Sequence, residues 1–244
     1  GIFDGSTNSI FTFDQRHQRP TAEDLNQAIA VYDGNLRAGD DAVADVFRAL
    51  EARGRWDNTV VLVTSDHGEA FYEHHRMSHN NTVYYEMLRV QFILRLPERF
   101  DRGGFNLDRM ATLADIVPTL LSTASLEPTA SLDGVNLLHA ARRKNKPFDR
   151  YFVGRTAHST PMRCIRTSRW KATLANSGQG ELFDLVEDPS EQRNLRHQHP
   201  EVFIALGQIL TRQLLEPPSI TGAVRNTEVS DSDRKMLEAL GYVE

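Results

Sequence analysis

Apolar residues recur at spacings of three, four and seven between Thr21 and Arg53: Leu25, Ile29, Tyr32, Leu36, Val43, Val46 and Leu50. That period predicts an α-helix with one apolar face. Thr21 is placed to cap it, and Asp24, three residues on, completes a capping-box-like pair. Gly54 is a plausible stop. Gly34 and Gly39 each cost such a helix about 1 kcal/mol relative to Ala, while their small size allows close packing. The pattern suits one long helix lying on a sheet, with a coiled-coil partner as the alternative. Asp57-Asn58 then makes a turn, and Thr59-Val60-Val61-Leu62-Val63-Thr64 is an unbroken β-branched and apolar run. A run without alternation predicts a strand buried on both faces, typical of a parallel sheet in an α/β protein. Val90 to Leu96 is a second such run, ended by Pro97. A helix is expected over Leu113 to Ala124, kinked or interrupted at Pro118. Glu127-Pro128 and Asp133-Gly134 are loop signals.

The pattern changes near residue 146. Arg142-Arg143-Lys144-Asn145-Lys146-Pro147 is a basic, Pro-ended stretch that reads as a linker or exposed loop. Beyond it, Tyr151–Gly154, Met162–Thr167, Trp170–Leu174 and Glu181–Leu185 are short and separated by turns, which predicts a small antiparallel sheet. Pro200 opens a helix reaching about Leu215. A last helix is expected from Ser230 and Asp233 to Gly241. Residues 1–20 look irregular. The chain thus divides into 1–146, part of an α/β domain with a mixed or parallel sheet flanked by helices, and 147–244, a small α+β subdomain.

Composition narrows the class. With 40% hydrophobic and 25% charged residues, the chain is neither collagen-like, disordered nor a disulfide scaffold. No apolar run reaches the roughly 18 residues of a membrane span. A net charge of −5 argues against nucleic-acid binding driven by bulk charge. Cys164 is the single cysteine, so an intrachain disulfide and a Cys-based metal cage are both excluded.

The chemistry concentrates after the first strand. Asp66 and His67 follow Ser65, and Glu69, Glu73, His74, His75 and His79 crowd in behind them. Ligands of open α/β sheets bind outside the carboxyl ends of strands, where Asp66 and His67 would be presented. Carboxylate oxygen and imidazole nitrogen together can hold a divalent cation. Gly68 is expected to allow a sharp turn beside that ion. Four His and three acids within residues 66–79 point to a metal or anion site, with a solvated polar loop as the alternative.

Thr64-Ser65-Asp66-His67-Gly68-Glu69, then Glu73-His74, His79, Tyr84-Tyr85-Glu86 and Arg89-Val90, resembles the sulfatase family of the alkaline-phosphatase superfamily. The resemblance covers most of the chain. It takes in Tyr32 to Arg37 with Asp40-Asp41, Asp57-Asn58-Thr59, Asp115 to Leu121, and Leu132-Asp133-Gly134. It continues through Glu181 to Leu185, Asp188-Pro189 with Glu191 and Asn194-Leu195, and the terminal Leu240 to Val243. The family cleaves sulfate or phosphate esters with a divalent cation, usually Ca²⁺, with Mn²⁺ or Zn²⁺ as alternatives. The resemblance implies that Asp66 and His67 are two metal ligands and that His79 meets the substrate's anionic oxygens or protonates the leaving group. Glu69 and His74 are then candidates to orient those groups from behind.

The departures are specific. The family's other two metal ligands and its Cys or Ser nucleophile, in a C/S-x-P-x-R motif, have no counterpart here. Cys164-Ile165-Arg166-Thr167-Ser168 lacks the Pro and the Arg, and Cys164 is expected to be a small buried residue. Gly1 and these gaps predict the C-terminal portion of a longer enzyme, inactive alone and completed by the missing N-terminal half. Gln91 replaces a usual Pro at the start of a strand. The Asn80-Asn81-Thr82 sequon is expected to be unmodified. The expected partner is a small anionic or glycan sulfate ester, not nucleic acid, and family analogy places the enzyme in the periplasm or outside the cell. A phosphoric or phosphonic ester hydrolase or transferase, and a non-catalytic binding protein on the same fold, are the competing readings.

Overall fold

The computed structural model describes residues 19–79, 82–100, 106–107, 110–142, 150–156, 162–175 and 179–215. The chain forms two compact units, Gly1–Phe105 and Asn106–Glu244.

In the first unit, helix α1 runs unbroken over Ala22–Ala52. Its start is fixed as the sequence predicts. The Asp24 main-chain N–H donates to Thr21 Oγ1 at 3.1 Å, and the Thr21 N–H donates back to Asp24 Oδ2 at 3.0 Å. Strands β1 (Val61–Thr64) and β4 (Phe92–Arg95) pair with each other, and β2 (Ala70–Phe71) pairs with β3 (Met77–Ser78) as a hairpin. The short helix α2 (Tyr85–Leu88) lies between β3 and β4. Ala28 of α1 and Met77 of β3 form a small buried core with Leu25, Phe71 and Tyr72 around it. At the other end of α1, Phe47 packs on Trp56. Arg95 lies over the Trp56 ring and donates to the carbonyls of Trp56 and Thr59 at 2.9 and 2.8 Å.

Two expectations need correction here. Both apolar runs form strands, but they pair antiparallel, with Val61 opposite Arg95 and Thr64 opposite Phe92. Neither strand is buried on both faces within the described residues: Ile93 is 60% exposed. The stripe of α1 is also largely uncovered, with Leu36 54% and Val46 57% exposed. The sequence carries burial patterning that the described residues do not satisfy.

In the second unit a 3-10 turn (Leu113–Asp115) leads into helix α3 (Ile116–Thr123), followed by the short α4 (Leu137–Arg142). Pro118 sits in the first turn of α3, where its missing N–H costs nothing, so it neither kinks nor interrupts the helix. Strands β5 (Phe152–Arg155), β6 (Met162–Arg166), β7 (Trp170–Ala175) and β8 (Gly180–Asp184) form an antiparallel sheet in chain order. Helix α5 (Pro200–Leu215) begins at the proline and packs Val202, Leu206, Ile209 and Leu210 on Ile165, Trp170, Ala172 and Leu182. That contact joins a 3.6-residue period to a period of two, and it is the main core of the unit. Residues 143–149, Asn80-Asn81, and the segment expected to form a last helix lie outside the described residues. Among the described residues, no helix is long and apolar enough to cross a membrane.

Candidate active site

Strand β1 ends at Thr64 and hands the chain to Ser65, Asp66 and His67. The His67 main-chain N–H donates to Asp66 Oδ1 at 3.1 Å, which orients the carboxylate. His67 Nδ1 lies 2.8 Å from the Gly68 carbonyl oxygen. A carbonyl only accepts, so Nδ1 carries a proton and Nε2 is the nitrogen that can offer a lone pair to a cation. Nε2 lies 3.8 Å from Asp66 Oδ1. That gap is shorter than a metal–nitrogen bond of about 2.1 Å plus a metal–oxygen bond of about 2.4 Å, so one cation can contact both atoms. The Asp66 side chain is 88% exposed, which leaves it accessible to an ion. Among the described residues, no group of three or more His, Cys, Asp or Glu is gathered for a metal. The pair therefore fits as part of a coordination sphere and not as a whole one.

Gly68 is required for a different reason from the expected sharp turn. Its φ is not left-handed. Its N–H donates to the Met87 carbonyl at 2.9 Å, and a Cβ on it would collide with the Glu86 carbonyl. The backbone after the Asp66–His67 turn is thus clasped by the 84–87 segment.

The β2–β3 hairpin brings in His79. Its backbone is left-handed at three non-glycine residues, Tyr72 (φ 78°), His75 (φ 60°) and Ser78 (φ 66°). His79 follows Ser78 and stacks on His67, with ring centroids 4.7 Å apart. His79 Nδ1 is 3.2 Å from Glu69 Oε2 and 3.3 Å from Ser78 Oγ. The carboxylate only accepts, so Nδ1 is the donor there. The second Glu69 oxygen, Oε1, is buried without a hydrogen-bond partner. Asp66, His67, Glu69 and His79 thus converge at the carboxyl end of β1.

His74 is held elsewhere. Its Nδ1–H donates to both oxygens of Glu86, at 2.9 and 3.1 Å, and its ring stacks on Tyr84 with centroids 3.9 Å apart. Glu86, from the Tyr84-Tyr85-Glu86 stretch, is the residue that holds His74, a contact that local spacing does not predict. The signal was its carboxylate 12 residues after a histidine, which only folding brings together. Cys164 lies in the second unit, fully buried, and burial pushes its thiol up to about 11. It is a packing residue, as expected.

The sulfatase family model matches residues 5–126, and the model for the C-terminal part of N-sulphoglucosamine sulphohydrolase matches residues 73–216. The chain belongs to the sulfatase family. It is 30% identical to arylsulfatase K of Danio rerio over 216 residues, covering 84% of this chain and 40% of that protein. Its fold is similar to a 2-O GAG sulfatase (TM-score 0.67, 22% identity, 90% of this chain and 50% of that chain). It is equally similar to the phosphonate monoester hydrolase of Agrobacterium radiobacter (TM-score 0.67, 24% identity, 79% of this chain and 42% of that chain). The α/β fold is therefore the alkaline-phosphatase-like fold of sulfatases, with the C-terminal antiparallel sheet appended. The chain spans about two fifths of the length of the curated sulfatases it matches.

Proposed function

We propose that this chain is the C-terminal portion of a metal-dependent sulfuric ester hydrolase. The observation that carries the reading is the meeting of Asp66, His67 and His79 at the carboxyl end of β1, in a chain of this family. Asp66 and His67 Nε2 would hold part of the coordination sphere, and the remaining ligands and the nucleophile come from the part of the enzyme outside this chain. A divalent cation neutralises charge developing on the transferred group and lowers the pKa of a nucleophilic oxygen. Ca²⁺ is the first choice, and Mn²⁺ or Zn²⁺ suit the His ligand better. His79 would act either as a charge-assisted donor to the anionic oxygens or as the proton source for the leaving alkoxide, with its ring oriented by Glu69. Glu69 fixes that ring, and His74 braces the hairpin that carries it. The substrate class is an anionic sulfate ester, small or glycan. The segment before residue 147 completes the catalytic domain, and the segment after it is a supporting subdomain.

The test is to express this chain with and without its upstream coding region. Turnover of an aryl sulfate, an aryl phosphate and a phosphonate monoester is then compared with Ca²⁺, Mn²⁺ or Zn²⁺. We expect sulfate turnover by the longer protein only. His79→Ala in it should lower kcat/KM by about 10²–10⁴-fold. Turnover by this chain alone would refute the portion reading, and a preference for the phosphonate would move the enzyme to phosphoryl chemistry.

A further inference from the structure

We propose that Glu86 is a positioning residue, the group that fixes where His79 sits relative to Asp66 and His67. Its catalytic consequence rests on the hydrolase reading above. Glu86 grips both halves of the site with different parts of itself. Its main-chain carbonyl packs directly on Gly68, where a Cβ would collide, and the neighbouring Met87 carbonyl accepts the Gly68 N–H at 2.9 Å. That grip holds the end of the Asp66–His67 turn. Its carboxylate accepts from His74 Nδ1 through both oxygens, at 2.9 and 3.1 Å. That grip holds the middle of the β2–β3 hairpin, between the left-handed Tyr72 and His75. Tyr84, in the same segment, closes the arrangement by stacking on His74 nearly in parallel, with 7° between the ring planes.

The hairpin needs such an anchor. Left-handed backbone is unfavourable for the three non-glycine residues Tyr72, His75 and Ser78, and such conformations persist only where surrounding contacts over-determine them. The His74 and Glu86 side chains are 11% and 6% exposed, so their hydrogen bonds are shielded from water and strong. Released from Glu86, the hairpin can relax. His79, one residue beyond the last strained position, would then lose its stack on His67 and its bond to Glu69.

The test uses the full-length enzyme with Glu86→Ala and Glu86→Gln. Three quantities are read: kcat and KM for an aryl sulfate, the Kd for Ca²⁺ alone by calorimetry, and the His67 and His79 ring resonances by long-range ¹H–¹⁵N correlation. Glu86→Ala should lower kcat by about 10–100-fold and weaken Ca²⁺ by about 10-fold, with KM little changed and the His79 ring shifted. Glu86→Gln keeps a carbonyl that accepts from His74 and should recover most of the loss. A folded Glu86→Ala enzyme with wild-type kcat, Ca²⁺ affinity and His79 resonances overturns the proposal. So does a Glu86→Gln variant no better than Glu86→Ala. If Glu86→Ala does not fold, Tyr84→Leu removes the stack while keeping the buried acceptor, and is read the same way. If the wild-type enzyme hydrolyses no ester, the hydrolase reading fails, while Ca²⁺ affinity and the His79 resonances still decide the positioning role.

Discussion

At the residue scale, the hairpin trades backbone comfort for side-chain placement. His75 is exposed and left-handed, a conformation that glycine adopts freely and β-branched residues resist. His75→Gly should therefore be at least about 1 kcal/mol more stable than His75→Val, measured by urea denaturation. Equal stabilities would mean that the strain is not there. Cys164 gives a second test. Burial raises its thiol from 9.0 to about 11 in the folded protein. A raised folded value means that the folded state holds the proton longer than the unfolded one. The associated stability is fully present below pH 9 and is lost as pH climbs towards 11. Cys164→Ala should flatten that alkaline slope, and a thiol reagent should label native Cys164 at pH 8 only on unfolding.

At the element scale, several residues that carry the family resemblance turn out to be architectural. Asp115 accepts from Arg150 with both oxygens, at 2.8 and 3.0 Å, and from the N–H groups of Thr112 and Val135 at 2.8 and 2.7 Å. It ties the start of α3, the loop after Gly134 and the strand region at Arg150 together. A Cβ on Gly134 would strike the Ala114 carbonyl, which explains the glycine there. In the sheet, Asn194 Oδ1 accepts the Leu182 N–H at 3.2 Å, and Lys171 Nζ donates to Glu191 at 2.6 and 2.7 Å with both side chains 1% exposed. Breaking that pair takes the ammonium counter-charge away from a buried carboxylate. Lys171→Met alone should cost about 3–5 kcal/mol, while adding Glu191→Leu should restore most of it. Thermal or urea unfolding of the three proteins checks this, and a mild single variant would mean that Glu191 finds another partner.

At the scale of the whole molecule, the exposed apolar faces are the telling feature. Leu36, Val43 and Val46 of α1 and Ile93 of β4 remain in solvent, although their patterning specifies burial. The chain spans about two fifths of the length of its curated relatives, and under the reading proposed above a surface from the rest of the enzyme would cover these faces. Apolar patches of this kind promote self-association. The isolated chain should bind a hydrophobic dye and self-associate, and Leu36→Lys with Val46→Lys should reduce both without loss of helical circular dichroism. A monomeric, dye-silent isolated chain would argue that these faces find cover within it.

Local rules settled much of this protein before any fold was considered. The capping box at Thr21, the proline start of α5, the four short strands between residues 151 and 185 and the crowding of His and acidic residues behind β1 follow from periodicity, turn chemistry and residue type. These depend on neighbours within a few positions. Tertiary structure alone decided that β1 and β4 pair antiparallel, that Gly68 is required by the Glu86 carbonyl, that His67 stacks on His79, and that Glu86 reaches His74. Each of these joins residues brought together by chain closure, and spacing along a sequence does not encode which distant atom will occupy the space beside a given one.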